Sequence, residues 1–321
     1  MRVGFIGLGN VGAKLAGSLL RNNIDLCVRD LDAQAVQPFL DAGAAWAESP
    51  EALARQVDVV ITCLPSPAVS AAVMEGEDGV LAGMADGMIW AEMSATDEAE
   101  VKRLGARVVA RGGHPLDCPV SGGCHRAATG NIAIFAGGER DVFDKMLPLL
   151  TTMGRRILHT GPLGSASVLK VVTNYLATAN LVSLAEALVV SDRAGMDLAT
   201  TYEAIRISSG NSFVHETESQ VILNGSRDIN FTMDLVLKDV GLFQAVADRA
   251  DVALELSPLL IDVFTDAIER YGPRELSPNV IRRLEDQTGA RIVAPGFPAE
   301  IADDEPEEPG YEVGAGSRGG V

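Results

Sequence analysis

The chain has 321 residues, is 47% hydrophobic and carries a net charge of −18. This length supports one large core or, as the better prior, two smaller ones, and the charge disfavours nonspecific attraction to nucleic acid or anionic membranes. Cys27, Cys63, Cys118 and Cys124 form no C-x-x-C pair and no zinc-like grouping with the four histidines, so free thiols in a reducing compartment and no metal site are expected. Met1-Arg2 leads straight into an apolar run, which leaves no room for a secretory signal; a cytoplasmic protein without a membrane partner is expected.

The first element is the most telling. Val3-Gly4-Phe5-Ile6 is a short apolar strand that breaks into Gly7-Leu8-Gly9-Asn10-Val11-Gly12, followed by an amphipathic run over 11–20, a second strand over 24–28 and an acid, Asp30. That is the spacing of a dinucleotide-binding turn. Gly7 allows the tight turn, Gly9 lets the backbone approach a pyrophosphate, and Gly12 packs the helix closely on the sheet. The phosphates then rest on N–H groups at the helix N-terminus. Asp30 would accept hydrogen bonds from the adenosine ribose and repel a 2′-phosphate, which favours NAD over NADP. Arg29 should face the opposite side of its strand. Leu64 and Pro65, after a strand over 57–63, and Ser94, after one over 88–92, complete the expected cofactor contacts.

Further strands are expected at 107–110, 132–136 and 156–159, alternating with helical segments as a parallel sheet with crossover helices requires. Gly161-Pro162-Leu163-Gly164 breaks this pattern and divides a domain of residues 1–163 from one of 164–291. Residues 165–194 contain neither Pro nor Gly and are apolar nearly all round, which predicts a long buried helix. Helices follow at 197–207, 213–223, 233–248 and 258–271. The expected architecture is a Rossmann-type α/β domain with a mostly parallel sheet, then an all-α domain led by a long interdomain helix. Its apolar surface predicts a homodimer or homotetramer. Residues 292–321 hold seven acids, one arginine and many Pro and Gly residues, the composition of a disordered acidic tail.

Four later stretches carry groups suited to chemistry: Asp117-Cys118-Pro119-Val120-Ser121-Gly122-Gly123, Gly130-Asn131 with Ala136-Gly137-Gly138, Lys170 with Asn174, and Phe231 to Leu242 with Lys238-Asp239. Lys170 and Asn174 are four apart in a predicted helix and so share a face. The apolar neighbours Val168, Leu169, Val171 and Val172 would favour the uncharged amine that a general base needs. Ser121 offers a hydroxyl followed by two unobstructed N–H groups, a cradle for one carboxylate; a plain tight turn is the structural alternative. Lys238 adds a positive charge, or else pairs with Asp239 or Asp234.

In order and spacing, these blocks and the N-terminal turn resemble the β-hydroxyacid dehydrogenase family, which includes 3-hydroxyisobutyrate dehydrogenase and tartronate semialdehyde reductase, over residues 1 to about 290. The resemblance implies that Ser121, Gly122 and Gly123 hold the substrate carboxylate and that Lys170 relays the hydroxyl proton while hydride passes to the nicotinamide. Asn174 would orient the substrate, and Lys238 would stand near both ligands. The implied activity is NAD-dependent oxidation of a small 3-hydroxy acid to its semialdehyde, or the reverse, most like 3-hydroxyisobutyrate dehydrogenase. Tartronate semialdehyde reduction and oxidation of a threonate-type acid are the alternatives within the family, and a noncatalytic dinucleotide-binding protein is the alternative outside it. Imine reductases share the architecture but generally lack the lysine. Several positions depart from the family pattern. Cys118 replaces an alanine, Ala95 a threonine, and Thr173 the first of two asparagines. Cys124-His125-Arg126 is bulkier and more basic than usual, which points to an additional anionic or polar group on the substrate, met by Arg126.

Overall fold

A computed structural model describes residues 1–314; residues 315–321, the end of the expected tail, lie outside the described residues. The chain divides into two compact units: Met1–Lys170 together with the chain from Asp303 onward, and Val171–Ala302.

In the first unit, strands β1 (Val3–Ile6), β2 (Leu26–Arg29), β3 (Ala45–Trp46), β4 (Val59–Thr62) and β5 (Ile89–Glu92) are followed by β6 (His114–Asp117), β7 (Val120–Ser121), β8 (Ala133–Gly137), β9 (Arg156–Gly161) and β10 (Tyr311–Glu312). They form one sheet in the order β10-β9-β8-β6-β5-β4-β1-β2-β3, with β7 beside β8. Among the described residues of this sheet, only the pairings of β8 with β6 and β7 are antiparallel. β1, β4 and β5 are buried along their whole length, as strands covered on both faces must be. Phe5 and Ile61 join Leu15 and Leu19 on one face, while Ile6 and Val60 join Met74 and Trp90 on the other. The order reverses between β1 and β4, so the carboxyl ends of these strands open the crevice where such sheets bind ligands.

The expected strand at 107–110 is instead the last turn of the helix Glu98–Val109. Its β-rich composition is overridden by helical periodicity, which buries Val101, Leu104 and Val108, and by Asp97, whose carboxylate caps the helix start. The strand at this place in the sheet is β6, with a proline inside it.

The second unit is helical, with Leu198–Arg206, Phe213–Asn224, Met233–Arg249, Leu256–Tyr271 and Arg282–Thr288 packing on the long helix Ser165–Arg193. Leu188, Ile222, Phe264 and Ile281 are fully buried in its core. By length and composition the long helix could cross a membrane; here its Leu181, Leu184 and Leu188 belong to this core. The division falls inside that helix, after Lys170, and not at 163, because the first turn of the helix is bonded to β6 in the first unit.

The segment after 291, expected to be disordered, is ordered through residue 314. Ile292 is fully buried in the helical core, and Asn224 and Ser226 donate to the carbonyls of Phe297 and Ala299 at 2.8 and 2.6 Å. From Asp303 the chain returns to the first unit and adds β10 to β9. Its acids meet arginines on the way: Glu307 with Arg21 at 3.1 Å, Glu305 with Arg156 at 3.8 Å, Glu308 with Arg155, and Glu312 with Arg140 at 2.6 Å. The buried Asn131 donates to Asp303 Oδ2 and to the Glu305 carbonyl, both at 2.8 Å. Composition read as disorder because the arginines that match these acids lie far away in sequence.

Exposed ion pairs contribute little, about 0 to 1 kcal/mol each, so the added strand and the Asn131 bonds carry most of the attachment. Burial raises the Asp303 carboxyl, but hydrogen bonds from Thr129 and Asn131 outweigh it and leave it below the usual range; the hydrogen bond from Arg140 lowers Glu312. Lowered carboxylates stabilise the fold above their ordinary values and lose that contribution as pH falls through the depressed ones, below about pH 4. A chain ending at Ala302 should therefore melt several degrees lower than the full chain at pH 7, with the gap narrowing at pH 3. Equal melting temperatures at pH 7 would show that the attachment is inconsequential.

Candidate active site

The glycine turn has the geometry its spacing predicts. Gly7 has φ +100°, and a Cβ there would lie 2.3 Å from the Cys63 carbonyl oxygen. A Cβ on Gly12 would lie 2.0 Å from the Gly7 carbonyl. Nothing lies within 4 Å of a Cβ built on Gly9, so the protein itself does not require glycine there, whereas a pyrophosphate lying close to the backbone would. The helix Gly12–Arg21 begins without a side-chain cap, leaving its positive end to an anion. Leu8 contributes backbone, its side chain being buried; Asn10 is exposed and Val11 half-buried.

Asp30 stands at the end of β2 and shapes this turn. Its carboxylate accepts the Leu8 N–H at 2.6 Å and the Asp32 N–H at 2.9 Å, and its remaining lone pairs suit ribose hydroxyls. The Arg29 guanidinium donates to the Asp30 backbone carbonyl. Across the switch point, Ser94 Oγ accepts the Leu64 N–H at 2.7 Å, and the buried Glu92 accepts the Ser94 N–H at 2.9 Å. Burial pushes the Glu92 carboxyl up. Ser94 thus fixes the Leu64-Pro65 segment, and Glu92, absent from the expected set, fixes Ser94.

The run from Asp117 to Gly123 leaves β6, passes through β7 and enters the short helix Gly123–Ala128. Gly122 and Gly123 have φ +129° and +88°, so the backbone needs glycine here, and the helix start has no side-chain cap. The cradle expected beside Ser121 is therefore compatible with this backbone. Arg126 Nη2 lies 3.5 Å from Glu305 and its Nε 4.0 Å from Asp303. The acidic segment thus gives this arginine carboxylate neighbours within the chain.

Lys170 and Asn174 lie on the one helix Ser165–Arg193, both half-buried. In the helical unit, Asn174 Nδ2 donates to Asp239 Oδ2 at 2.5 Å, and Asp239 Oδ1 stands 3.0 Å from Lys238 Nζ. An ionised carboxylate only accepts, so this bond fixes which end of the Asn174 amide faces Asp239. Asp239 is buried and bridges two of the expected site residues. Sequence reasoning gave it only as a possible partner of Lys238.

Residues 2–161 match the family described as the NAD binding domain of 6-phosphogluconate dehydrogenase, and residues 164–284 that described as NAD-binding of NADP-dependent 3-hydroxyisobutyrate dehydrogenase. The 2-(hydroxymethyl)glutarate dehydrogenase of Eubacterium barkeri is 31% identical over 91% of this chain and 97% of its own length. The chain belongs to the β-hydroxyacid dehydrogenase family. It is an oxidoreductase of the NAD(P)-binding hydroxyacid dehydrogenase type. The NAD-dependent L-serine dehydrogenase of Pseudomonas aeruginosa is 33% identical, covering 89% of this chain and 98% of that protein. A crystal structure of 3-hydroxyisobutyrate dehydrogenase from Salmonella typhimurium superposes with a TM-score of 0.81 at 28% identity, over 88% of this chain and 99% of its own. The fold shared with this family is the Rossmann-like sheet followed by the long helix and helical unit.

Gly9 and Gly12 should behave differently when given a methyl group. Gly9→Ala, with open space around it, should leave the melting temperature within a degree or so while weakening NADH binding about tenfold or more. Gly12→Ala should lower both. Isothermal titration with NADH beside thermal melts reads the difference, and unchanged NADH affinity in Gly9→Ala would place the cofactor elsewhere.

Proposed function

We propose that the chain is an NAD-dependent dehydrogenase of small 3-hydroxy acids, interconverting the acid and its semialdehyde, with Lys170 as general acid and base. The observation that carries this reading is Lys170 and Asn174 four residues apart on one uninterrupted helix, hence on one face. The nicotinamide dinucleotide, held by Gly7–Gly12 and Asp30, supplies the hydride acceptor or donor when bound. The Lys170 amine takes the hydroxyl proton in oxidation and returns it in reduction. The Ser121 hydroxyl and the N–H groups of Gly122 and Gly123 hold the substrate carboxylate. Asn174, its amide fixed by Asp239, orients the reacting group. Lys238 offsets the charge of the buried Asp239, which would otherwise repel an anionic substrate.

The names of the relatives support the substrate class: 2-(hydroxymethyl)glutarate, L-serine and 3-hydroxyisobutyrate each carry a hydroxymethyl group on the carbon that bears a carboxylate. An acid just after β2, where the adenosine ribose of a bound dinucleotide would lie, supports NAD over NADP, since it would repel a 2′-phosphate. Initial rates with 3-hydroxyisobutyrate, L-serine, glycerate and threonate, each with both cofactors, test this. NAD should exceed NADP in kcat/KM roughly tenfold or more, the scale of about 1.4 kcal/mol of repulsion. Equal use of the two would remove Asp30 from the selection.

Lys170→Ala should lower kcat about 10²- to 10⁴-fold, the usual contribution of a positioned acid or base, with NADH affinity unchanged by titration. A variant that retains most of its kcat would overturn the assignment of Lys170.

A further inference from the structure

Gly164, which precedes the long helix and has φ +93°, has no side chain with which to cap it. The N–H groups of the residue before a helix and of its third residue are those a local capping box would satisfy. Here both donate to Asp117, far back in the sequence: Gly164 N to Oδ1 at 2.8 Å and Ser167 N to Oδ2 at 2.7 Å, with Ser167 Oγ adding a third bond at 3.0 Å. The surroundings leave room for this carboxylate and little else. Asp117 is fully buried, and a Cβ on Gly137, its register partner on β8, would lie 2.4 Å from Oδ1. Thr160, on β9, adds a second attachment, its hydroxyl lying 2.6 Å from that of Ser165.

Asp117 also begins the run that ends at Ser121. One carboxylate therefore ties the strand leading into that loop to the first turn of the helix, and the next turn of that helix carries Lys170. We propose that Asp117 is a positioning residue for the reaction, setting where Lys170 stands relative to the Ser121 loop by gripping the helix start. The proposal rests on the reading of Lys170 as acid and base. A helix held only by its own cap could slide on the sheet by a fraction of an ångström without unfolding, and displacements of about 1 Å at a reacting group cost on the order of 10²-fold in rate.

D117S and D117S/S167E separate a tie from a cap. In the double variant, a glutamate at the third helical position can reach back to the Gly164 N–H and restore the cap from within the helix, without restoring the link to β6. With 3-hydroxyisobutyrate and NAD, D117S should lower kcat about 10- to 100-fold and melt earlier, while NADH affinity, set at the glycine turn, stays within about twofold. D117S/S167E should regain melting temperature with kcat still low. Recovery of kcat together with melting temperature would show that Asp117 only caps the helix, and would overturn the proposal. S167A removes one bond of the three and serves if the double variant does not fold. A kcat about three- to tenfold lower at unchanged NADH affinity supports the tie, and an unchanged kcat overturns it. Lys170→Ala measured alongside keeps the two ideas apart. Full activity there removes the role of Lys170, whereas loss there with wild-type kcat in S167A and D117S removes only the role of Asp117.

Discussion

The buried carboxylate of Asp117 is the joint on which the functional half of the molecule depends. Removing a carboxylate from water costs several kcal/mol unless donors replace the solvent, and three donors from the start of the long helix do so here. The opposing effects remain visible in its protonation: burial raises the Asp117 carboxyl, and the hydrogen bonds from Gly164 and Ser167 only partly offset it. Taking one donor away would leave an unmet cost of about 1–3 kcal/mol, so sheet and helix start are held to one arrangement. Gly137 is glycine because a methyl group would collide with this carboxylate.

The same economy recurs at the other carboxylates. Asp30 holds the Leu8 and Asp32 N–H groups and still has lone pairs for a ribose. Glu92 holds Ser94, which holds Leu64, and Asp239 holds Asn174 beside Lys238. Each acid shapes the backbone or side chain next to an expected ligand contact. Orientation is thereby prepared before a ligand arrives, and its entropic cost is met during folding.

What was legible in the sequence is what local sterics dictate. Gly7 and Gly12 are forced by backbone contacts with Cys63 and with each other, and the long helix is announced by thirty residues without a breaker. The partnerships made across the chain were not legible. Asp117 reads as the start of a motif, and its role emerges only when Gly164, a helix start without a side chain, is placed beside it. The run 107–110 looks like a strand until its apolar positions are seen to continue a helical stripe from Val101. The acidic segment looks like solvent-loving tail because Arg21, Arg140, Arg155 and Arg156 are scattered through the first half of the chain. The acids beside Arg126, Asp303 and Glu305, likewise lie far ahead of it in sequence.

The central claim is that a hydride moves between a hydroxy acid and the dinucleotide held at the glycine turn. It is tested most directly by supplying 3-hydroxyisobutyrate deuterated at its hydroxymethyl carbon with NAD and weighing the reduced cofactor formed. The account predicts one deuterium in each NADH, formed more slowly than from the unlabelled acid. Tight NADH binding with no labelled cofactor from this acid or from deuterated L-serine would contradict it.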